Sequence, residues 1–141
     1  MPANAGLEYW QNVLVAGGST VIPRWTLEPV PGVGECTVTI PPEALPALRE
    51  PEVSSGAVLL AAHAVVLAAL SGERDVVTGY VAAGRALPCR LTTDPGPWRS
   101  VVGEAARAEG DLLTHAEVEV EDLRRRLGVA GPSFTTMFDP A

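Results

Sequence analysis

Val76 to Arg85 reads VVTGYVAAGR, and Leu87 to Leu91 follows at once as LPCRL. The run from Val76 to Ala82 is mostly apolar rather than alternating. A strand covered on one face would alternate, whereas a central strand covered on both would not. We therefore read Val76–Ala82 as a central strand, Gly84 as the start of a turn, and Leu87–Thr92 as a second strand.

Working outward, the preceding stretch from Gly56 to Leu70 (GAVLLAAHAVVLAAL) is apolar all round, which predicts a buried helix. Ser54 or Ser55 is placed to cap it, and Ser71-Gly72 to close it. Downstream, Asp94-Pro95-Gly96-Pro97 breaks the chain before a helix over Trp98–Leu113. A last helix spans Val120–Leu127 and ends at Gly128. Its Val120, Leu123 and Leu127 share one face, and Arg124, Arg125 and Arg126 point outward. Phe134–Phe138 reads as a final strand. Near the start, Leu7, Trp10, Val13 and Leu14 have the spacing of a short amphipathic helix over Leu7–Val15, ended by Gly17-Gly18. Pro23, Pro29 and Pro31 make Ser19–Gly34 an extended or looped connection that cannot pair deep within a sheet. Cys36–Ile40 (CTVTI) reads as a strand stopped by Pro41-Pro42, and Glu43–Glu50 as a brief helix. The expectation is an α/β fold: a mixed sheet of about four strands carrying the Gly56–Leu70 helix, with the later helices packed on it.

At 141 residues the chain is long enough for one core and too short for two sizeable ones. Its apolar content of 47% is rich in Ala and Val and poor in aromatics, which suits helix-on-sheet packing better than a large ligand cage. The net charge of −7 argues against nucleic acid as a partner, because neutralising phosphates needs clustered cations. The run Arg124–Arg126 is flanked by Glu119, Glu121 and Asp122 and reads as a solvated helix face. The most apolar run falls short of the roughly 20 residues that cross a bilayer, so no membrane is expected. Cys36 and Cys89 lack metal-ligand spacing, both lie in strand-like surroundings, and free thiols in a cytoplasmic protein are expected.

The candidates for chemistry are few. His63 lies within the apolar helix with no orienting acid at a neighbouring helical position, so it reads as a core histidine rather than a general base. Gly103, Gly110 and the Val15–Gly18 glycines do not form a phosphate loop. Ser54, Ser55 and Ser71 lack a hydrolase nucleophile's setting. No cofactor, metal or catalytic residue is assigned. Trp25 and Trp98 stand beside Pro-rich loops, and with Phe138 they are the candidates for a partner surface.

The stretches VVTGYVAAGR and LPCRL, together with HAEVEVEDL (His115–Leu123) and PSFTTMF (Pro132–Phe138), resemble the C-terminal lobe of a nonribosomal peptide synthetase condensation domain. The N-terminal helix with its aromatic pair, Tyr9-Trp10, matches the same pattern. The resemblance implies a chloramphenicol-acetyltransferase-like lobe. In that family, amide formation depends on two adjacent histidines followed by Asp-Gly, in the other lobe. This chain has only His63 and His115, and neither lies in such a motif. The family motif at His115 runs His-Gln-Asp-aliphatic-Pro-Phe-Glu. His115, Glu117, Val118 and Glu121 retain part of it, which implies a structural role for His115. The dozen or so residues that usually follow the Gly-Arg pair near the active-site tunnel are missing after Arg85, and the lead into the final strand is reduced to Pro132.

The resemblance thus implies a truncated condensation domain without activity of its own, over residues 1–141. It would act as a structural and interaction platform for an adenylation domain, in cis or in trans, with a carrier protein as a further partner. The end at Phe138–Ala141 is where a linker into that adenylation domain would start. The alternative is one half of a split condensation enzyme whose histidine-bearing lobe is on another chain.

Overall fold

Strand β1 (Asp75–Ala82) is the middle strand of a three-stranded sheet ordered β2-β1-β3. A computed structural model describes residues 2–16, 20–44, 46, 53–94, 96–129 and 134–140. β2 (Arg85–Thr92) runs antiparallel to β1, with Asp75 opposite Thr92 and Ala82 opposite Arg85. β3 (Met137–Phe138) runs parallel to β1 on its other side, pairing Gly79 with Met137 and Tyr80 with Phe138. The sheet is mixed, as expected. It has three strands among the described residues rather than about four, and its last strand covers only two residues of the expected Phe134–Phe138.

The hairpin between β1 and β2 closes in two residues, Ala83 (φ 51°) and Gly84 (φ 75°). Two consecutive left-handed residues form the tight turn whose twist matches that of paired strands. Arg85 therefore begins β2 directly, and no excursion separates the strands. Pro88 can sit within β2 because β2 is an edge strand and needs ladder bonds on one side only.

Among the described residues four long helices accompany the sheet: α1 (Pro2–Ala16), α2 (Ser55–Ser71), α3 (Trp98–Thr114) and α4 (Val120–Leu127). Ser54 rather than Ser55 caps α2, its Oγ accepting from the Ala57 amide at 3.0 Å. Gly72 ends that helix in the left-handed region and Gly128 ends α4 likewise. α3 buries Val101, Val102, Ala105 and Leu112 along one stripe. α4 carries the ion pairs Arg124–Glu121 and Arg125–Asp122 on its outer side. Arg124 is half-buried and also donates to the Val129 carbonyl, so of the three arginines only Arg125 and Arg126 are fully outward. The core gathers Trp10 and Leu14 of α1, Leu60, Ala61, Ala64 and Leu67 of α2, Val76 and Tyr80 of β1, and Leu87 and Leu91 of β2.

Two expectations fail. α2 is not buried all round: Ala57, Leu60, Ala61, Ala64 and Leu67 face the core, while Leu59, Val65, Val66 and Leu70 are exposed. Uniform apolarity is therefore not proof of uniform cover; only one side of α2 has the sheet and α3 against it. Cys36–Ile40 is not a strand. The whole stretch from Val21 to Ile40 lacks helix or strand, and every residue in it except Ile22 is exposed. No sheet edge lies beside it among the described residues, and extended backbone without a ladder is not a strand. Cys36 is correspondingly exposed rather than packed as a small hydrophobe, whereas Cys89 is buried. Over the expected Glu43–Glu50 helix, the described residues are a 3₁₀ turn at Pro42–Ala44 and Pro46, which is helical. Residues 45 and 47–52 lie outside the described residues, as do Gly17, Gly18, Ser19, Pro95 and Pro132.

Candidate functional site

The even-numbered residues of β1 face the helices, and two of them start hydrogen-bond networks. His63 of α2 places Nε2 3.0 Å from the Thr78 hydroxyl, which lies 2.8 Å from the Thr136 hydroxyl. This chain joins α2, β1 and the approach to β3 through a fully buried Thr78. Burial lowers the pKa of His63 below its ordinary value, favouring the neutral ring. No carboxylate partners either histidine among the described residues, so neither has the orienting acid of a catalytic base. The Phe138 ring lies 5.6 Å from that of His63 and 5.7 Å from that of Tyr80.

The second network centres on Glu109 of α3. Tyr80 donates its hydroxyl to Oε2 at 2.8 Å, and Ser54 donates to Oε1 at 2.9 Å. Desolvation, followed by the Glu109 hydrogen bond and charge, raises the Tyr80 phenol well above its usual range. Desolvation also pushes the Cys89 thiol up to about 12, so the buried group stays a neutral thiol near neutral pH. Sequence reading missed Glu109. One signal could have found it: it falls four residues after Ala105 and three before Leu112, a carboxylate on the apolar stripe of α3.

His115 caps the end of α3, and its carbonyl accepts from Trp10 Nε1 at 2.7 Å. Tyr9 packs against its ring, with centroids 4.8 Å apart. Arg85 holds the following loop: its guanidinium donates to the Ala116 and Val118 carbonyls and pairs with Glu119. His115 and Arg85 thus both fasten the turn between α3 and α4, the structural role expected for His115.

On the opposite face of β1, the Phe134 ring lies over Gly79, where an added Cβ would sit 2.7 Å from it. Beside it, the Thr20 hydroxyl accepts from the Val77 amide at 2.7 Å, beyond the reach of the two-residue β3. Thr135 donates to the Thr20 carbonyl. Thr20, buried, and Ile22, half-buried against the core, thereby anchor an otherwise open arm.

What remains for a partner is apolar and outside. Trp25 is 90% exposed on the arm, with Leu27, Val30, Val33 and Val38 beside it in sequence. Trp98 is 45% exposed at the start of α3 and lines an open groove of about 300 Å³ with Val65, Ala68, Thr93 and Val101. That groove continues onto the exposed side of α2 through Val65. Phe138, the third candidate, is half-buried between His63 and Tyr80.

A mixed sheet with helices packed on it is an α/β lobe, and solved condensation domains contain the same arrangement. The starter condensation domain of rhizomide synthetase RzmA, crystallised with C8-CoA and Leu-SNAC, superposes with a TM-score of 0.73 at 24% identity, over 98% of this chain and 36% of that one. The first condensation domain of the calcium-dependent antibiotic synthetase, in complex with a substrate analogue, gives 0.67 at 27% identity, over 96% and 36%. In sequence, nonribosomal peptide synthetase fso1 of Omphalotus olearius is 28% identical over 93% of this chain and 3% of its own length. Nonribosomal peptide synthetase sidC of Aspergillus fumigatus is 41% identical over 48% of this chain and 1% of its own length. No protein-family model matches. The chain is therefore similar in fold to part of solved condensation domains, and in sequence to short stretches of nonribosomal peptide synthetases. It spans about a third of the solved condensation domains it matches and a few per cent of the curated synthetases.

Proposed function

We propose that this chain is a non-catalytic condensation-like module of a nonribosomal peptide synthetase, serving in the cytoplasm as a structural platform for an adenylation domain. The observation that carries the reading is how its residues are used. Both histidines are committed to the fold, His63 to the Thr78 and Thr136 hydroxyls and His115 to the turn after α3. The exposed large apolar side chains collect instead on the arm and on the outer face of α2 beside Trp98. Amide formation needs a group that orients or deprotonates the amine next to the thioester carbonyl, and this chain offers docking surface instead. Trp25 and Trp98 are the contact residues we assign, with Phe138 as the third candidate. The adenylation domain is joined in cis or bound in trans, and a carrier protein is a further partner.

Two experiments test this. Donor- and acceptor-loaded carrier proteins offered to the chain are expected to give no dipeptidyl product by mass spectrometry. Product that His63→Ala or His115→Ala abolishes would refute inactivity. The adenylation domain of the same synthetase, produced with and without residues 1–141, is expected to lose solubility, thermal stability and amino-acid activation without them. Unchanged behaviour would end the platform reading.

A second reading is favoured by one feature, the open arm. A separate histidine-bearing lobe could cover it, which would make this chain one half of a split condensation enzyme. A pull-down between the two products is the test, and absence of binding contradicts it.

A further inference from the structure

Residues 134–140 form a strap across β1 that is held more by side chains than by backbone. Only Met137–Phe138 pairs as strand, and the Gly79 amide donates to the Thr136 carbonyl at 2.8 Å. Phe134 lies over Gly79 on one face of β1, and Phe138 lies against His63 and Tyr80 on the other. Thr135 donates to the Thr20 carbonyl. Pro140 stands beside Gly56 in the first turn of α2, 3.8 Å from where a Cβ there would lie. A segment with so short a ladder can open while the rest of the fold stays closed.

One of these contacts is sensitive to a proton. His63 is half-buried, and the Phe138 ring of the strap is part of its cover. Its Nε2 meets the buried Thr78 hydroxyl, which meets the Thr136 hydroxyl of the strap. A neutral ring can accept or donate at Nε2, whereas an imidazolium only donates. Protonation therefore forces the hydroxyls to run outward from the ring and sets a charge beneath the strap. The groups around it leave that charge unbalanced. α2 holds no other ionisable residue. β1 presents Thr78 and Tyr80, and opposite Thr78 on β2 stands Cys89, a neutral thiol. Glu109 of α3 accepts from the Tyr80 and Ser54 hydroxyls, and Asp139 of the strap is exposed with a partner of its own. Lifting the strap gives an imidazolium water in place of Phe138.

We propose that His63 is a proton-operated latch on residues 134–140: the neutral ring keeps the strap docked on β1, and protonation releases it while the other elements stay folded. Release frees Phe138, the third contact candidate, and bares the edge of β1 at Gly79 and Tyr80. The latch thus sets how much apolar surface is open to a partner, whichever partner that is. The sign follows from burial. The docked ring binds its proton less readily than a free ring of pKa 6.5, so docking is strongest above that pH and weakens below it.

Amide exchange on the full 141-residue chain, corrected for the intrinsic effect of pH, tests the latch. The Gly79 amide reports the strap, and the Ala64 and Leu67 amides report the core. Gly79 should be less protected than Ala64 and Leu67 by at least about tenfold, as expected of a local opening. Between pH 7.5 and 5.5 its protection should fall by up to about tenfold, the limit for one proton bound with a pKa of 6.5 in the open state. In His63→Gln, which keeps a polar group near Thr78 and removes the titration, that fall should vanish. In the wild-type chain the His63 ring, followed by proton NMR, should titrate below 6.5. Gly79 protection equal to that of the core would show that the strap does not open by itself and would overturn the latch. So would a pH-independent Gly79, a fall that persists in His63→Gln, or a ring that titrates at or above 6.5.

Discussion

Val76–Ala82 and Cys36–Ile40 are built from similar material and live in opposite surroundings. Both are short, rich in β-branched and apolar residues, and bounded by turn formers. Val76 is 0% exposed, in the middle of a sheet with helices over one face and Phe134 and Thr20 over the other. Val38 is 80% exposed on an arm with no ladder. What separates them is company: β-propensity describes how well a residue fits a pleated, half-covered surface, and only one of the two stretches has such a surface beside it. The arm thus keeps the composition of a strand without the partner that makes one.

That contrast can be broken by mutation. Leu60→Ala, at the centre of the core, should cost about 2–5 kcal/mol in chemical denaturation, from lost transfer energy and the cavity left behind. Leu27→Ala on the arm should leave the midpoint unmoved; a comparable loss there would mean that the arm is packed. Gly79→Ala comes next. The added methyl meets the Phe134 ring, so the segment leading into β3 must shift, at a cost of about 1–3 kcal/mol by analogy with overpacked cores. Loss of the Phe134 contact alone, by Phe134→Ala in the same background, should make Gly79→Ala nearly silent.

His63 sharpens the contrast through pH. Its pKa in the folded chain lies below the unfolded value of 6.5. The unfolded chain thus binds the proton more readily, and the stability contributed by keeping the ring neutral is fully present above about pH 6.5 and lost as pH falls. Denaturation midpoints measured from pH 7.5 to 5.0 should fall, and the part of that fall due to His63 should vanish in His63→Gln. An unchanged pH dependence in the variant would contradict the burial assigned to the ring. The smallest effect is expected at the hairpin. Ala83 adopts φ 51°, which costs a residue bearing a Cβ. Ala83→Asn should therefore raise stability by about 0.5–1 kcal/mol, since Asn tolerates this region.

Much of this was legible in the chain. The central strand, the turn at Gly84, the second strand and the helices α1 to α4 follow from apolar periodicity and from Gly, Pro and Ser punctuation, and the structure places them within a few residues of expectation. The failures share a cause. The exposed flank of α2 and the unpaired Cys36–Ile40 depend on what else is present to cover them, which local composition does not record. The Glu109 hub was hidden for a related reason. A carboxylate on an apolar stripe becomes a structural element only once Tyr80 and Ser54 are brought to it from other parts of the chain. The candidate partner residues divide in the same way: Trp25 and Trp98 stand outside as their Pro-rich neighbours suggested, while Phe138 turns toward His63 and Tyr80.

The two cysteines report on the two regions directly. Cys36 lies on the open arm and Cys89 in the buried sheet, its thiol pushed up to about 12. Alkylation of the native chain at neutral pH, followed by peptide mass spectrometry, should modify Cys36 at the rate of a thiol in an unfolded peptide and Cys89 only when denaturant opens the fold. Equal protection of both would show that the arm is already covered, and the account of an open arm beside a closed sheet would be wrong.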